Sequence, residues 1–484
     1  MSADWPEYSL AELYEIRSGL SKAAEYFGSG YPFVSFKDVF GNYFLPDELS
    51  QLVQSSDKER EGCSVNRGDV FLTRTSETMH ELGMSSVALK DYPGATFNGF
   101  TKRLRLKEGA PEVIPEYIGY SLRSPSFRSS MMAFSTMSTR ASLNNDMIGL
   151  LKVKLPPVSV QTAIGNVLKA LDDKITLNTQ TNQTLEQMAQ ALFKSWFVDF
   201  DPVIDNALDS GFFEREFAGE DIPEPLAQRV AIRQALREAT AADTDASAIG
   251  RLPPETRALF PDRFEKHPEL GWIPKGWMVK SLAEQTKLIG GGTPKRSNEE
   301  FWGGGIPWFS VKDAPNNSDV FVLDTDEKIT VAGLNGSSTR LLPVGTTIIS
   351  ARGTVGKLAL VGREMAMNQS CYGVLPADGL GLGVYFNYFS LKRIVYWLRQ
   401  NTHGAVFDTI TKQTFETVSS VVPPSTIASE FERQVTPWLD LVKSKLLENV
   451  SLSQLRDTLL PKLLSGELTV LDVCQENQVE SKVA

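Results

Sequence analysis

Apolar residues recur at alternating spacings of four and three along two long stretches of the chain. The first stretch carries Ile, Leu, Leu, Ile, Asn, Asn, Leu, Ala, Leu and Trp at positions 164, 168, 171, 175, 178, 182, 185, 189, 192 and 196. The second repeats this spacing at an offset of 267, with Phe, Val, Trp, Val, Lys, Asn, Leu, Arg, Leu and Leu. Unbroken heptads are typical of paired long helices. We predict that helix pairing rests on Ile164, Leu168, Leu171, Ile175, Leu185, Leu192, Phe431, Val435, Trp438, Val442, Leu452 and Leu459.

Both stripes are apolar at their ends and polar in the middle, a pattern that costs stability but fixes the register of a helix pair. About 39 residues at 1.5 Å each form a rod of roughly 58 Å. A lone helix would expose its stripe, so we expect the two stripes to bury each other. The alternative is that each helix packs separately on its own globular part.

Short β-like runs occupy the segments outside these helices. Examples are VFLT at 70–73, TTIIS at 346–350 and LALV at 358–361, each near Gly, Pro or Asn. Such runs indicate strands and turns. A helical stretch at 115–123 intervenes, so the globular parts mix both kinds of element.

The chain repeats itself at a distance of about 270 residues. YPFVSFKDV at 31–39 matches IPWFSVKDA at 306–314, and WPEYSLAE at 5–12 matches WMVKSLAE at 277–284. Gly68 and Gly345, and the Pro-Pro pairs at 156–157 and 423–424, keep the same order. This period is too long for a solenoid. We infer two copies of one unit, each a globular part followed by a long helix.

The layout that follows has six segments. They are a first globular domain at 1–157, a spacer helix at 158–198, an acidic connecting arm at 199–270, a second globular domain at 271–424, a second spacer helix at 425–465 and a tail at 466–484. If the helices pair antiparallel, the two globular domains stand at opposite ends. Two similar heads held apart in this way suit a target with two separated half-sites, such as DNA.

The formal net charge of −10 is concentrated in one segment. Residues 198–270 hold 8 basic and 16 acidic side chains, whereas residues 271–424 hold 15 and 12, and residues 1–157 hold 17 and 19. Binding of a polyanion depends on the local field and not on the total charge. The charge therefore does not exclude nucleic acid, and we expect the arm to lie away from it.

Three cysteines, no apolar run of 18 residues and an N-terminus without signal-peptide features predict a cytoplasmic chain that does not contact membranes. The three histidines have no ligand spacing with the cysteines, so we predict no metal site. GTVGK at 353–357 lacks the Walker residues, and GGGTPKR at 290–296 lacks the dinucleotide spacing. PDRFEK at 261–266 loosely resembles a nuclease motif, but we read it as solvated charge without a strand context.

No convincing catalytic constellation occurs, which favours a binding protein. Arg can form two hydrogen bonds to guanine, and Asn or Gln can form two hydrogen bonds to adenine. Arg and Lys also neutralise phosphates. Any one of these side chains is at least as readily explained as a solvated cation or a turn residue. The candidate DNA contacts are Lys22, Lys37, Arg74, Thr75, Asn98 and Arg140 in the first copy, and Lys295, Arg296, Lys312, Arg352, Lys357, Asn368 and Gln369 in the second.

Several stretches together resemble the DNA-specificity subunit of type I restriction–modification systems. They are LPPVSVQTAIGNVLKALDDKI, LEQMAQALFKSWFVDFDPV, LPPETRALFPDRFE, ELGWIPKGW, GGGTPKR, IPWFSVKDA, ARGTVGK and the closing LRDTLLPKLLSGEL, and they cover most of the chain. The block at 155–203 is the most specific. The first copy departs from the pattern, with SGLSK at 18–22 in place of the GGGTP loop.

The resemblance implies an α+β fold, a pseudo-twofold tandem repeat of two similar mixed α/β target-recognition domains separated by two long helices in an antiparallel coiled coil. Each domain would read one half of a bipartite DNA site. The helices would dock two methyltransferase subunits, and restriction/translocase subunits would join them. Catalysis, with S-adenosylmethionine, ATP and Mg, would belong to these partners and not to this chain.

Three classes of function remain open from the residues alone. The first is a non-catalytic DNA-recognition scaffold. The second is a self-contained nuclease, for which Asp262 and Glu265 would be the candidates. The third is a coiled-coil interaction protein without a DNA role, which salt-sensitive, sequence-specific DNA binding would eliminate.

Overall fold

A computed structural model describes residues 4–75, 81–135, 142–241, 252–315, 320–401 and 409–471. It divides into a first unit, residues 1–176 with 448–484, and a second unit, residues 177–447. Each globular domain belongs to one unit, and each long helix contributes to both. Arg140 lies outside the described residues.

The first unit contains a mixed α/β head. Its strands are β1 (Glu7–Ser9), β2 (Tyr14–Ser18), β3 (Phe27–Val34), β4 (Gln51–Val53), β5 (Val70–Thr73), β6 (Ser85–Val87), β7 (Thr96–Phe97), β8 (Thr101–Leu106) and β9 (Lys152–Lys154). Its helices are α1 (Leu10–Leu13), α2 (Phe36–Gly41), α3 (Asp57–Gly62), α4 (Pro115–Ser121), α5 (Pro125–Ser135) and α6 (Asn145–Leu150). The long helix α7 (Val158–Phe197) follows.

The second unit holds the arm and the second head. The helices are α8 (Asp201–Asp209), α9 (Phe212–Glu216), α10 (Leu226–Ala241), α11 (Pro254–Arg257), α12 (Leu282–Gln285), α13 (Val331–Asn335), α14 (Val384–Asn401) and α15 (Lys412–Thr417). The strands are β10 (Phe264–His267), β11 (Gly271–Pro274), β12 (Met278–Ser281), β13 (Thr286–Gly290), β14 (Trp302–Phe309), β15 (Phe321–Val322), β16 (Lys328–Ile329), β17 (Thr347–Ser350), β18 (Leu358–Val361), β19 (Ala366–Met367), β20 (Cys371–Pro376) and β21 (Ser419–Val422). The second long helix is α16 (Ser425–Ser465).

The two heads share one strand topology. The order β2-β8-β5-β6 in the first recurs as β13-β20-β17-β18 in the second, where β15 extends the sheet. The small sheet β4-β3-β7 recurs as β16-β14-β19, with the same parallel pairing between its last two strands. The pair β1-β9 recurs as β12-β21. Strands VFLT, TTIIS and LALV are present as predicted, and the repeat in sequence is a repeat in fold.

The sequence segments repeated between the two copies include residues that cap the start of a helix. Ser9 and Glu12 form a capping box before α1, and Ser281 and Glu284 form the same box before α12. Such a box satisfies backbone N–H groups that the first helical turn leaves unpaired. This requirement explains why SLAE occurs twice.

The long helices run antiparallel within each unit. In the first, α7 residue Asp172 accepts from Arg456 of α16 at 2.6 Å, and Lys174 pairs with Glu448 at 3.4 Å. In the second, the Phe193 and Phe431 rings lie 5.8 Å apart. No helix in the described segments is long and apolar enough to cross a lipid bilayer.

Each long helix also packs against a head. The apolar stripes therefore contact both the other long helix and a globular domain, which combines the two alternatives. Ile164, Leu168 and Leu459 join the buried cluster of the first head. Phe431, Val435 and Val442 join that of the second. Of the remaining stripe residues, Leu171, Ile175, Leu185, Leu192, Trp438 and Leu452 are half-buried.

The arm is a packed structure and not a loose connection. Asp201, Asp205 and Asp209, spaced four apart on α8, pair with Arg229, Arg233 and Arg237, spaced four apart on α10. These three carboxylates are therefore paired within the arm. The prediction that PDRFEK lacks a strand context is wrong, because β10 begins at Phe264 and pairs with β11.

Candidate nucleic-acid interface

In the first head, four connections converge on one end of the sheets. The loop after β2, the turn before β8, the end of β5 and the segment after β3 meet there, because Ser18 pairs with Lys102 and Thr73 with Thr101. The Asn98 N–H donates to the Val34 carbonyl at 3.1 Å, which joins the small sheet to this edge. We call this edge the loop end. Asn98 lies at this edge and Arg74 and Thr75 follow β5, while Lys37 lies in α2 after β3 and Lys22 follows β2 in the chain.

The loop end recurs in the second head. Gly290 pairs with Tyr372, Ser350 pairs with Cys371, and the Asn368 N–H donates to the Phe309 carbonyl at 2.9 Å. The candidates of the second copy lie in the connections near this edge: Lys295 and Arg296 follow β13, Lys312 follows β14, Arg352 and Lys357 lie between β17 and β18, and Asn368 and Gln369 lie between β19 and β20. GTVGK forms a turn between β17 and β18, with positive φ at Gly353 and Gly356.

Asn98 and Asn368 shape matching turns. The Asn98 side chain accepts from the Phe100 N–H at 2.7 Å, and the Asn368 side chain accepts from the Ser370 N–H at 3.0 Å. An amide oxygen committed to its own turn is less free to read a base. This bond favours a turn-forming role for both residues.

The loop SGLSK takes the place of the GGGTP loop. A Cβ on Gly19 would overlap the carbonyl oxygens of Phe97 and Asn98, and a Cβ on Gly291 would overlap those of Asn368 and Met367. Both glycines are needed because two backbone segments touch there. The departure seen in sequence therefore changes side chains but keeps the geometry of the loop.

Arg296 is held in place by an acid and two aromatic rings. Its guanidinium donates to Glu327 at 2.9 Å and lies 4.0 Å from the Trp302 ring centre and 5.1 Å from that of Trp308. The bond from Arg296 lowers the pKa of Glu327. This stacking orients a half-exposed guanidinium at the loop end.

Lys22 has a comparable partner in the first head. Its ammonium lies 2.6 Å from a Glu59 oxygen and 5.2 Å from the centre of the Tyr26 ring. Hydrogen bonds from Lys22 and from the Ser56 N–H lower the pKa of Glu59 to about 2. A phosphate approaching Lys22 must therefore compete with a carboxylate.

Lys37 and Lys312 form no ion pair with the neighbouring aspartates, which have other partners in the described part of the chain. Asp38 accepts from Ser35 N–H at 2.8 Å, and Asp313 accepts from Ser310 N–H at 2.8 Å. Both lysines are exposed. The shared Ser and Asp of the repeated motif hold backbone in place and leave the lysines to solvent.

Equivalent positions at the two loop ends carry different side chains. Thr75 bridges Ser142 as Arg352 bridges Thr409, so Thr75 and Arg352 are counterparts. Arg74 likewise corresponds to Ala351, because their N–H groups donate to the carbonyls of Phe100 and Ser370. Arg352 is exposed, whereas the Arg74 Nε and Thr75 Oγ1 atoms are buried without a hydrogen-bond partner among the described residues.

Lys102 lies at the first loop end and was not among the candidates. It is 6% exposed, and its ammonium donates to the Ser18 hydroxyl at 2.8 Å. Burial and the nearby Arg74 lower its pKa. Strand alternation within TKRLRL would have placed it on one face, but only the pairing of β8 with β2 brings it beside Ser18.

The spacer helices also carry polar contacts. The Lys445 ammonium donates to the buried Asn178 side chain at 3.0 Å, and Tyr120 donates to Asp172 at 2.6 Å. Among the described residues, no three His, Cys, Asp or Glu side chains form a group that could hold a metal ion.

The model of the type I restriction modification DNA specificity domain matches residues 2–187 and again residues 274–434. These two segments make up more than half of the chain. The chain belongs to this DNA-specificity family. The fold class predicted from the sequence is confirmed, since the mixed α/β domain occurs twice and the long helices are present.

Relatives of known family resemble this specificity protein along nearly its whole length. The HindI specificity subunit of Haemophilus influenzae is 29% identical over 480 residues, 96% of this chain and 100% of the relative. The putative MjaX specificity subunit of Methanocaldococcus jannaschii is 21% identical over 96% of this chain and 94% of its own. The S subunit structure from M. genitalium has a TM-score of 0.52 at 12% identity, over 95% of this chain and 96% of that one.

The family fixes which class of protein this is. Specificity subunits are non-catalytic members of type I systems, which confirms the prediction that the chain is a recognition subunit and not an enzyme in its own right. The self-contained nuclease is thereby set aside. Asp262 accepts from its neighbour Arg263 at 2.8 Å, and Glu265 accepts from the Gly276 N–H at 3.1 Å, so both carboxylates have local structural partners.

Proposed function

We propose that this protein gives a type I restriction–modification complex its DNA sequence specificity, each head reading one half of a bipartite site. The observation that carries the proposal is the pair of loop ends. The heads share strand order and turn geometry, while equivalent positions such as Thr75 and Arg352 differ. A common scaffold with different side chains at equivalent positions is what two different half-sites require.

The proposed contacts divide by chemistry. Exposed Arg352 is a candidate for base edges, as is the amide N–H of exposed Gln369, whose oxygen accepts from the Thr293 hydroxyl. Lys37, Lys295, Lys312 and Lys357 are candidates for phosphates. Arg296 and Lys22 contact DNA by breaking their ion pairs with Glu327 and Glu59 and binding phosphate instead. Asn98 and Asn368 shape the loop end, and Arg74 and Thr75 line it.

We further propose that the long helices dock two methyltransferase subunits and, through them, the restriction subunits. Exposed apolar residues along both helices support this role, among them Leu177, Met188, Leu441 and Leu447. S-adenosylmethionine, ATP and Mg would then be bound by these partners. In this arrangement the present chain supplies recognition and geometry.

The test of base reading uses Arg352 and a matched arginine. In a host carrying the complete system, Arg352→Gln is expected to relax one half-site at one position and weaken binding by about 1–3 kcal/mol. Sequencing of methylated DNA maps the modified sites. Arg363→Gln is the control, because Arg363 is exposed beyond the other end of β18. An unchanged site in Arg352→Gln would exclude base reading by this residue.

A further inference from the structure

A cleft of about 680 Å³ lies within the second unit, between the arm, α14 and β21. Its walls are mainly apolar and include Phe200, Leu226 and Trp272 from the arm and Ile394 and Trp397 from α14. Trp397 is 55% exposed. The volume and the lining are those of small-molecule sites.

The polar groups of this cleft favour an anion. It is lined by three cations, Arg229, Lys266 and Arg393, and by two carboxylates, Asp199 and Glu224. Asp199 is already paired with Lys194 and with Arg229 at 2.9 Å. Within the described part of the chain, the Arg393 guanidinium and the Lys266 ammonium have no hydrogen bond or ion pair, and the buried Arg229 Nε has no acceptor.

Arg393 is an exposed residue that lines the cleft. The guanidinium is accessible to water, yet the surrounding protein lowers its pKa, an effect that Asp199 opposes. A guanidinium without a protein partner can form charge-assisted hydrogen bonds to an entering anion. Arg393 is therefore the natural anchor of a ligand.

We propose that this cleft binds a small molecule in which an anionic group is joined to a flat apolar body. The anion lies against Arg393, close to Lys266 and the free N–H of Arg229. The apolar body lies against Trp272 and Trp397. Most of the arm is outside the segments 2–187 and 274–434 that match the specificity family, whereas Arg393 and Trp397 lie inside the second of these segments.

Fluorescence titration of the full-length protein tests this site with two matched probes. Anilinonaphthalene sulfonate carries an anionic group on an aromatic body, and phenylnaphthylamine has a similar body without the charge. We expect one saturable sulfonate site per chain and a clear preference over the neutral probe. Arg393→Gln is expected to weaken sulfonate binding about tenfold, because one charge-assisted contact is lost, and to leave the neutral probe within about twofold.

Two further variants complete the experiment. Lys266→Gln, which changes an exposed side chain, is expected to weaken the sulfonate in the same direction. Arg340→Gln, an exposed arginine of the same unit that does not line the cleft, is expected to bind both probes like the parent protein. Equal binding of the two probes, or sulfonate binding unchanged in both Arg393→Gln and Lys266→Gln, would overturn the proposal.

Discussion

Ser35 and Asp38, with their counterparts Ser310 and Asp313, serve the backbone and not the ligand. Gly19 and Gly291 likewise allow two segments to touch at each loop end. The residues that the two copies share are thus largely structural. Those through which the heads differ, such as Thr75 and Arg352, stand where a half-site would be read.

The close approach at Gly291 gives a residue-scale prediction. Gly291→Ala is expected to destabilise the protein by about 1–3 kcal/mol, because the added methyl group overlaps the Asn368 carbonyl. Gly290→Ala, one residue earlier, meets no atom within 4 Å and is expected to change stability by less than about 0.5 kcal/mol. Thermal unfolding of both variants checks this. Equal melting temperatures would contradict the close contact between the two turns.

At this scale some features could be predicted and others could not. Ser-x-x-Asp and Ser-x-x-Glu are local signals, so the helix starts after Ser9 and Ser281 follow from neighbouring residues alone. The burial of Lys102 depends on the register of β8 with β2, which joins residues 84 positions apart. The connections that carry the candidate residues of the second copy lie near one edge because of the order in which the sheet arranges its strands.

The long helices were the most predictable elements, because the apolar positions of a heptad pattern mark the side of the helix that is in contact. The stripe did not include Phe193 and Phe197, which are buried because Phe386 of α14 packs on that side of α7. The polar residues in the middle of the stripe cost stability, which the sequence only suggested. Asn182 is buried with neither side-chain atom hydrogen-bonded among the described residues, whereas Asn178 pairs with Lys445.

A buried carboxylate joins α16 to the start of α14. Glu432 accepts from the Phe386 N–H at 2.7 Å, and burial raises its pKa from 4.5 to about 7, although bonds from Phe386 and Tyr385 oppose the rise. A raised carboxyl pKa means that the folded state holds the proton more tightly. The stability that it contributes is fully present below pH 4.5 and is lost as the pH rises through 7.

Glu432→Gln is therefore expected to raise the melting temperature at pH 8 and to have little effect near pH 5. The amide keeps an oxygen for the Phe386 N–H while removing the buried charge. Glu430→Gln is the control of opposite sign, since its pKa is lowered to about 2 by Arg433 and its stabilisation is lost only as pH falls through 4.5 toward 2. That variant should be destabilised equally at pH 8 and pH 6. A lower melting temperature for Glu432→Gln at pH 8 would contradict this account.

On the scale of the whole molecule, the duplication explains most of the chain. Two copies of one topology, each with a loop end and a long helix, account for residues 5–197 and 277–465. The arm has no counterpart in the repeat, and its packing could not be inferred from composition. The net charge of the arm gave no indication that its aspartates and arginines form a row of ion pairs. Its cleft is lined by residues between positions 198 and 421, which are far apart in the sequence.

The central claim is that two heads read two half-sites at a distance set by the helices. Insertion of four residues into α7 adds roughly 6 Å to a helix, equivalent to about one or two base pairs at 3.4 Å each. A matched insertion after Gly109, in the loop between β8 and α4, lengthens the chain without lengthening a helix.

The decisive measurement is the sequencing of methylated DNA from hosts that carry each version of the complete system. The helix insertion is predicted to keep both half-sites and to change the gap between them by one or two base pairs. The loop insertion is predicted to leave the gap as it is. A helix insertion that methylates the original sites at their original spacing would contradict the account.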